Sequence, residues 1–231
     1  MNIYRNEKLI KRNGRIAQIG LIVTLAILVG GMILSFQRPD QILFAYGLLL
    51  IGFVLFQITI YFQNRWGRKP RPDTLLDSAL KGLDKKFSLY HYLSPVSHLL
   101  IGPTGIWVLL PYYQRGTISF SNGRYQQKGR NLYWKIFGQE GLGRPELEIA
   151  NAKSSIDKFV QEKFPDQALP TADALMVFTD SRTIIEIPQD TELPAAAIAL
   201  KDLKETIRKA GKNKSLAAEK VKLLEDVIPR E

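Results

Sequence analysis

Residues 16–36 read IAQIGLIVTLAILVGGMILSF and residues 41–62 read QILFAYGLLLIGFVLFQITIYF. Neither run contains Asp, Glu, Lys or Arg. At about 1.5 Å of rise per residue, either one as a helix covers a hydrocarbon core of about 30 Å. Only Gln37-Arg38-Pro39-Asp40 lies between them, a polar turn with a helix-breaking proline. The pair predicts a transmembrane hairpin with spans over 16–36 and 41–62. Core helices of soluble proteins rarely run this far without a charge. A cleaved signal peptide has a shorter apolar segment, about 7–15 residues, and a small-residue cleavage site that is missing here. Gly30, Gly31, Gly47 and Gly52 are small residues that would let the two helices approach closely.

The net charge of +10 sits beside these runs. Residues 1–72 carry ten basic and two acidic side chains, a net of +8, whereas the other 159 carry 22 basic and 20 acidic, a net of +2. A basic N-terminus, 1–15, holds Arg5, Lys8, Lys11, Arg12 and Arg15, and a basic linker, 63–72, holds Arg65, Arg68, Lys69 and Arg71. The turn has only Arg38, offset by Asp40. Cations at both outer ends of a hairpin and not at its tip place both termini in the cytoplasm, and the chain in the cytoplasmic (inner) membrane. The same cations suit anionic headgroups of the bilayer, and Tyr61, Phe62 and Trp66 suit an interfacial anchor. There is no cysteine, so disulfides and thiolate catalysis are excluded.

Residues 73–231 have the length of one domain with its own core. Asp73-Thr74 caps an expected helix with Leu75, Leu76, Ala79, Leu80 and Leu83 at helical spacing. Strands are expected over 88–93, 96–101 and 106–110, the last two joined by Gly102-Pro103-Thr104-Gly105. Asn122-Gly123 between 116–120 and 124–127 predicts a β-hairpin. Residues 131–137 read as a further strand and 138–143 as a loop. Pro145 opens a long amphipathic helix to Phe164, followed by strands at 174–179 and 183–187 and helices near 200–210 and 215–227. The fold class is an α-helical hairpin followed by an α/β (α+β) domain with a mixed central sheet.

The stretch from Leu75 to Ile118, continuing through the long helix, resembles the nuclease-related domain called NERD, of the restriction-endonuclease-like PD-(D/E)xK superfamily. The residues that carry it are Ala79-Leu80-Lys81-Gly82-Leu83-Asp84, Tyr90, the run from Val96 to Leu110 around His98 and Gly102-Pro103-Thr104-Gly105, and Arg115-Gly116-Thr117-Ile118. Aligned on those glycines, the family's metal-binding aspartate falls on Ser97, its glutamate on Leu110 and its lysine on Tyr112. Cleavage by such enzymes needs two carboxylates on Mg²⁺ and a lysine beside the nucleophile. The resemblance therefore implies a restriction-endonuclease-like fold with degenerate catalytic positions, no cofactor and no metal. Asp73, Asp77 and Glu148, with Asp84, are candidate displaced acids for a metal-dependent nuclease, the alternative reading.

His91 and His98 are the only histidines, and with no cysteine or zinc-ligand spacing they are expected to be packed and hydrogen-bonded. Gly138 to Gly143 lacks the lysine of a phosphate loop and reads as a loop. Between 112 and 137, Tyr112, Tyr113, Phe120, Tyr125, Tyr133, Trp134 and Phe137 are interleaved with Arg115, Arg124, Lys128, Arg130 and Lys135. Three readings stay open there: single-stranded nucleic acid stacked on aromatics, a solvated hairpin with inward aromatics, and a contact with lipid or protein. The expected function is a binding or scaffolding module at the cytoplasmic membrane face, with an unknown protein partner or nucleic acid. A structural subunit of a membrane complex is a further alternative. Oligomeric state is left open.

Overall fold

The apolar runs do form two helices, and in the computed structural model they make a unit of their own, Glu7–Arg71. The structure describes residues 1–129, 141–167, 169–188, 190–211 and 216–230. The expected strand at 131–137 and residues 138–140 of the expected loop lie outside the described residues.

Helix α1 runs Glu7–Gln37, a 3₁₀ turn spans Pro39–Gln41, and α2 runs Ile42–Phe62 before a π-helical turn at Gln63–Gly67. Both helices are long and apolar enough to cross a membrane. Helix α1 starts nine residues before its apolar run, because Lys8, Lys11, Arg12 and Arg15 are good helix formers and Glu7 favours the positive end of the helix. The buried positions Ile10, Ala17, Thr24 and Gly31 on α1 recur every seven residues, as do Ala45, Gly52 and Thr59 on α2. That period is the seam of a left-handed helix pair. A Cβ on Gly52 would sit 2.6 Å from Leu28 Cδ2, and one on Gly31 3.2 Å from Leu49. Gly30 and Gly47 meet nothing within 4 Å, so only two of the four expected glycines serve the seam. Thr24 Oγ1 and Thr59 Oγ1 hydrogen-bond at 3.2 Å inside it, and Gln63 Nε2 donates to Ala17 O at 3.0 Å. The outer surface is apolar: Ile22 is 68 %, Phe36 80 % and Leu43 86 % exposed. Such a surface suits lipid rather than water.

The second unit joins Met1–Asn6 to Pro72–Glu231. Strand β1 (Asn2–Arg5) is followed, after the hairpin, by α3 (Pro72–Leu80), β2 (Ser88–His91), β3 (His98–Gly102) and β4 (Gly105–Tyr112). Then come β5 (Gly116–Ser121), β6 (Arg124–Lys128), α4 (Pro145–Lys163), β7 (Asp173–Phe178), β8 (Thr183–Ile185) and β9 (Ala196–Ala199). Helices α5 (Leu203–Ala210) and α6 (Ala218–Val227) close the chain.

One mixed sheet has the order β1-β2-β3-β4-β7-β9, and a smaller one β6-β5-β8. As expected, β3 and β4 are antiparallel neighbours, pairing Leu99 with Val108 and Gly102 with Gly105. The Asn122-Gly123 hairpin also forms: both residues have positive φ, 52° and 72°, the type I′ geometry that matches strand twist. The pair at 174–179 and 183–187 divides differently from a hairpin. Strand β7 lies parallel to β4 in the large sheet, while β8 lies parallel to β5 in the small one.

Alternating residues cover the two sheet faces. Tyr90, Leu99, Ile101, Val108, Leu110 and Met176 pack with Ile149 and Ile156 of α4 and Val221 and Leu224 of α6. Leu89, Leu100, Trp107, Leu109 and Val177 pack with Leu76 and Leu80 of α3 and Leu203 and Ile207 of α5. The result is a three-layer α/β/α unit.

The N-terminal strand is the largest departure from the sequence reading, which placed residues 2–5 in a basic tail. Its register is parallel to β2, from Asn2 on Ser88 to Arg5 on His91. Tyr4 stacks on Tyr90 with ring centroids 5.1 Å apart.

Candidate functional site

Helix α3 buries Asp73 along with Leu76 and Leu80, and Asp77 shares that face one turn on from Asp73. A carboxylate on an apolar helix face is costly unless a charge or donor meets it. Here the sheet supplies both. Arg5 pairs with His91 across β1 and β2, and His91 pairs with His98 across β2 and β3, so the three side chains form one row beneath α3.

The row is connected atom by atom. Arg5 bridges the two carboxylates, with Nη1 3.5 Å from Asp73 Oδ2 and Nη2 hydrogen-bonded to Asp77 Oδ2. Asp77 Oδ1 lies 3.0 Å from His91 Nε2, and His91 Nδ1 lies 2.7 Å from His98 Nδ1. Asp73, His91 and His98 are buried. Neutral rings satisfy every contact when His91 Nε2–H donates to Asp77 and His98 Nδ1–H donates to His91 Nδ1. Burial first, then the neighbouring His91, hold the His98 imidazole well below its ordinary pKa, with Asp73 opposing them. Tyr92, whose ring is 5.0 Å from His98, adopts φ = 59°, a conformation uncommon for a tyrosine.

Ser97, Leu110 and Tyr112, the positions singled out by the resemblance, lie elsewhere. Leu110 is buried on the opposite sheet face, in the α4 side of the core. Tyr112, two residues on along β4, donates from Oη to Glu148 Oε2 at 2.6 Å. Burial and the Glu148 carboxylate push the Tyr112 hydroxyl far above its ordinary pKa, so it stays a neutral donor. Ser97 is exposed in the loop before β3, its carbonyl accepting from Tyr92 N at 2.8 Å. The candidate displaced acids separate as well: Asp73 and Asp77 sit on α3, and Glu148 sits on α4 across the sheet. Among the described residues, no group of three His, Asp or Glu side chains is placed to hold a metal ion.

Of the basic-aromatic segment, Arg115 forms an ion pair with Asp180 at 2.7 Å, and Arg182 pairs with the same carboxylate at 3.0 Å. The Arg182 and Arg115 hydrogen bonds hold Asp180 well below the usual carboxylate range, against a smaller opposing effect of burial. Arg124 and Lys128 project from β6 into solvent. Tyr125 is buried and packs edge-on to Phe120 at 4.8 Å, so neither face of that hairpin offers Tyr125 as a platform for a base. Arg130, Tyr133, Trp134 and Lys135 lie outside the described residues.

Sequence reasoning placed His91 and His98 on successive strands but missed Arg5 as their partner. Two acids spaced four apart among the buried leucines of α3 were the available signal that a cation must meet that face. No family model matches the chain, and neither a curated protein nor a solved structure matches it.

Proposed function

We propose that this is a two-span protein of the cytoplasmic membrane whose cytoplasmic domain is a degenerate, NERD-like, restriction-endonuclease-like fold acting as a binding or scaffolding module. Tyr112 carries the non-catalytic reading. It stands where the related nucleases have a lysine, and it spends its hydroxyl on Glu148 rather than offering an ammonium. Leu110 at the glutamate position brings no oxygen for a hard cation, which needs oxygen ligands. A hairpin that leaves and rejoins one folded unit supports the placement of both termini together, and the cations at 1–15 and 63–72 support the cytoplasmic side. The lipid bilayer is its first partner; a protein or nucleic acid bound by the domain is its second.

Topology is tested directly because the chain has no native cysteine. Single replacements Lys8→Cys, Asp40→Cys and Lys222→Cys are probed with a membrane-impermeant maleimide on intact cells. Asp40→Cys is expected to label from outside, and the other two only after permeabilisation. Labelling of Lys222→Cys in intact cells would overturn the cytoplasmic placement.

For the chemistry, the purified full chain in detergent is expected to show no Mg²⁺- or Mn²⁺-dependent cleavage of DNA or RNA. Its Tm should not move with either ion, since only a ligand that binds the native state stabilises it. Metal-dependent cleavage abolished by Asp77→Asn or Glu148→Gln would replace this reading with a nuclease using displaced ligands. Capture of partners from solubilised membranes, with and without nuclease treatment, separates a protein partner from a nucleic acid.

A further inference from the structure

We propose that the His91–His98 pair is a proton-operated latch that holds the N-terminal strand β1 in the sheet and releases it when both rings are protonated. The geometry sets the rule. A 2.7 Å contact between two Nδ1 atoms needs a hydrogen on one and a lone pair on the other. Two neutral rings meet that condition, and so does one imidazolium, with His91 facing Asp77 through Nε2. Two imidazolium rings do not, because both Nδ1 atoms then carry hydrogens pointed at each other. One added proton still leaves a hydrogen on one Nδ1 and a lone pair on the other. The second breaks the contact.

The surroundings make the second proton expensive and its release local. The groups facing the pair are Arg5 from β1, Asp73 and Asp77 from α3, and the Tyr92 ring, while β4 and α5 present Leu109, Leu203 and Ile207 on this side. No solvent reaches His91, and almost none reaches His98. Neither ring can turn away without moving an element. Of the elements around the row, β1 is the sheet-edge strand, four residues long and, among the described residues, paired on one side only. Short edge strands open at the lowest free energy. Losing His91 from Asp77 also loosens the carboxylate that Arg5 grips, and Arg5 stands two residues before α1.

The sign follows from the depressed His98 pKa. The closed row binds fewer protons than the open one, where His98 titrates near 6.5. Closure is therefore fully stable above about pH 6.5 and weakens as pH falls from there toward the closed-state value. Free carboxylates titrate near 4, below the interval from about pH 6.5 to 5 in which a free imidazole takes up its proton. One proton taken up only by the open row bounds the change in the opening equilibrium at roughly thirtyfold between pH 6.5 and 5.

The test is amide hydrogen exchange at residues 2–6 of the full chain in detergent micelles, corrected for intrinsic exchange at each pH. This readout involves neither lipid topology nor nucleic acid, so its failure is distinct from failure of the functional reading above. Protection of 2–6 is expected to fall on the order of tenfold or more from pH 7.5 to pH 5.0, while protection of the β3–β4 ladder holds. His98→Gln keeps a hydrogen-bonding group against His91 but takes no proton, and its 2–6 protection should change less than twofold over the same range. His91→Gln removes the facing Nδ1 but leaves His98 buried, so it should keep only part of the acid loss, less than the wild type, and serves if His98→Gln does not fold. Wild-type protection that is unchanged at pH 5.0 would overturn the latch. So would an acid loss as large in the glutamine variants as in the wild type.

Discussion

Arg5→Ala is expected to destabilise the sheet-bearing unit by about 3–5 kcal/mol, the range for removing one partner from a buried ion pair. The size comes from what the guanidinium holds. It bridges Asp73, which is fully buried, and Asp77, whose other oxygen orients His91. Arg5→Lys should recover only part of the loss, because an ammonium is a point charge and cannot fork across two carboxylates. Urea unfolding of the full chain in detergent, followed by tryptophan fluorescence with Trp107 buried in the core, measures both. A loss below about 1 kcal/mol would mean that the backbone ladder and the Tyr4–Tyr90 stack dock β1 without the row.

Gly116→Ala is expected to cost about 3 kcal/mol or more, and Gly123→Ala nearer 1, although both replace a glycine of positive φ. Gly116 has φ = 95°, and a Cβ there would collide with the backbone carbonyl oxygen of Lys128, its neighbour across the β5–β6 ladder. A backbone atom held by a ladder cannot swing aside. Gly123 has φ = 72° and open space around its missing side chain, so it bears only the conformational cost. Thermal unfolding of the two variants side by side checks the contrast. Equal losses would mean that β6 shifts to make room and that the small sheet is softer than its register implies.

These glycines also mark what local sequence reveals. Asn122-Gly123 specifies its own turn, because both conformations are demanded by adjacent residues. Gly102-Pro103-Thr104-Gly105 does the same for β3 and β4, and charge-free runs announce the hairpin helices without any tertiary information. Pro145 marks the start of α4 for the same local reason. Where the reading fell short, the cause was a partner far away in the chain. Asn-Ile-Tyr-Arg is too short and too polar to read as a strand, and its ladder is with Ser88 to His91. Strand β9 is Ala-Ala-Ile-Ala, with β-branching at one position only, and it exists because β7 offers an edge. The start of α1 was placed late because hydropathy follows the lipid boundary, whereas helix propensity runs on through Lys and Arg. The row under α3 was invisible for a related reason. Its members come from β1, α3, β2 and β3, and only register brings Arg5, His91 and His98 into line.

Strand β1 also fixes an order of events during synthesis. It is made before the hairpin, yet its parallel partner Ser88–His91 comes 86 residues later, after both apolar helices have been translated. Until then Tyr4 and Arg5 wait without Tyr90 and Asp77, and loop closure over that distance is slow. Under the proposed two-span topology, a nascent chain in which the second apolar helix failed to insert would hold residues 2–5 and the rest of the sheet on opposite sides of the bilayer. That chain could not complete its outermost strand, and Asp73 would lack the bridging guanidinium. Correct insertion and complete folding thus become one requirement, and a mis-threaded chain carries its own mark for proteolysis: an unfilled sheet edge beside an acidic helix.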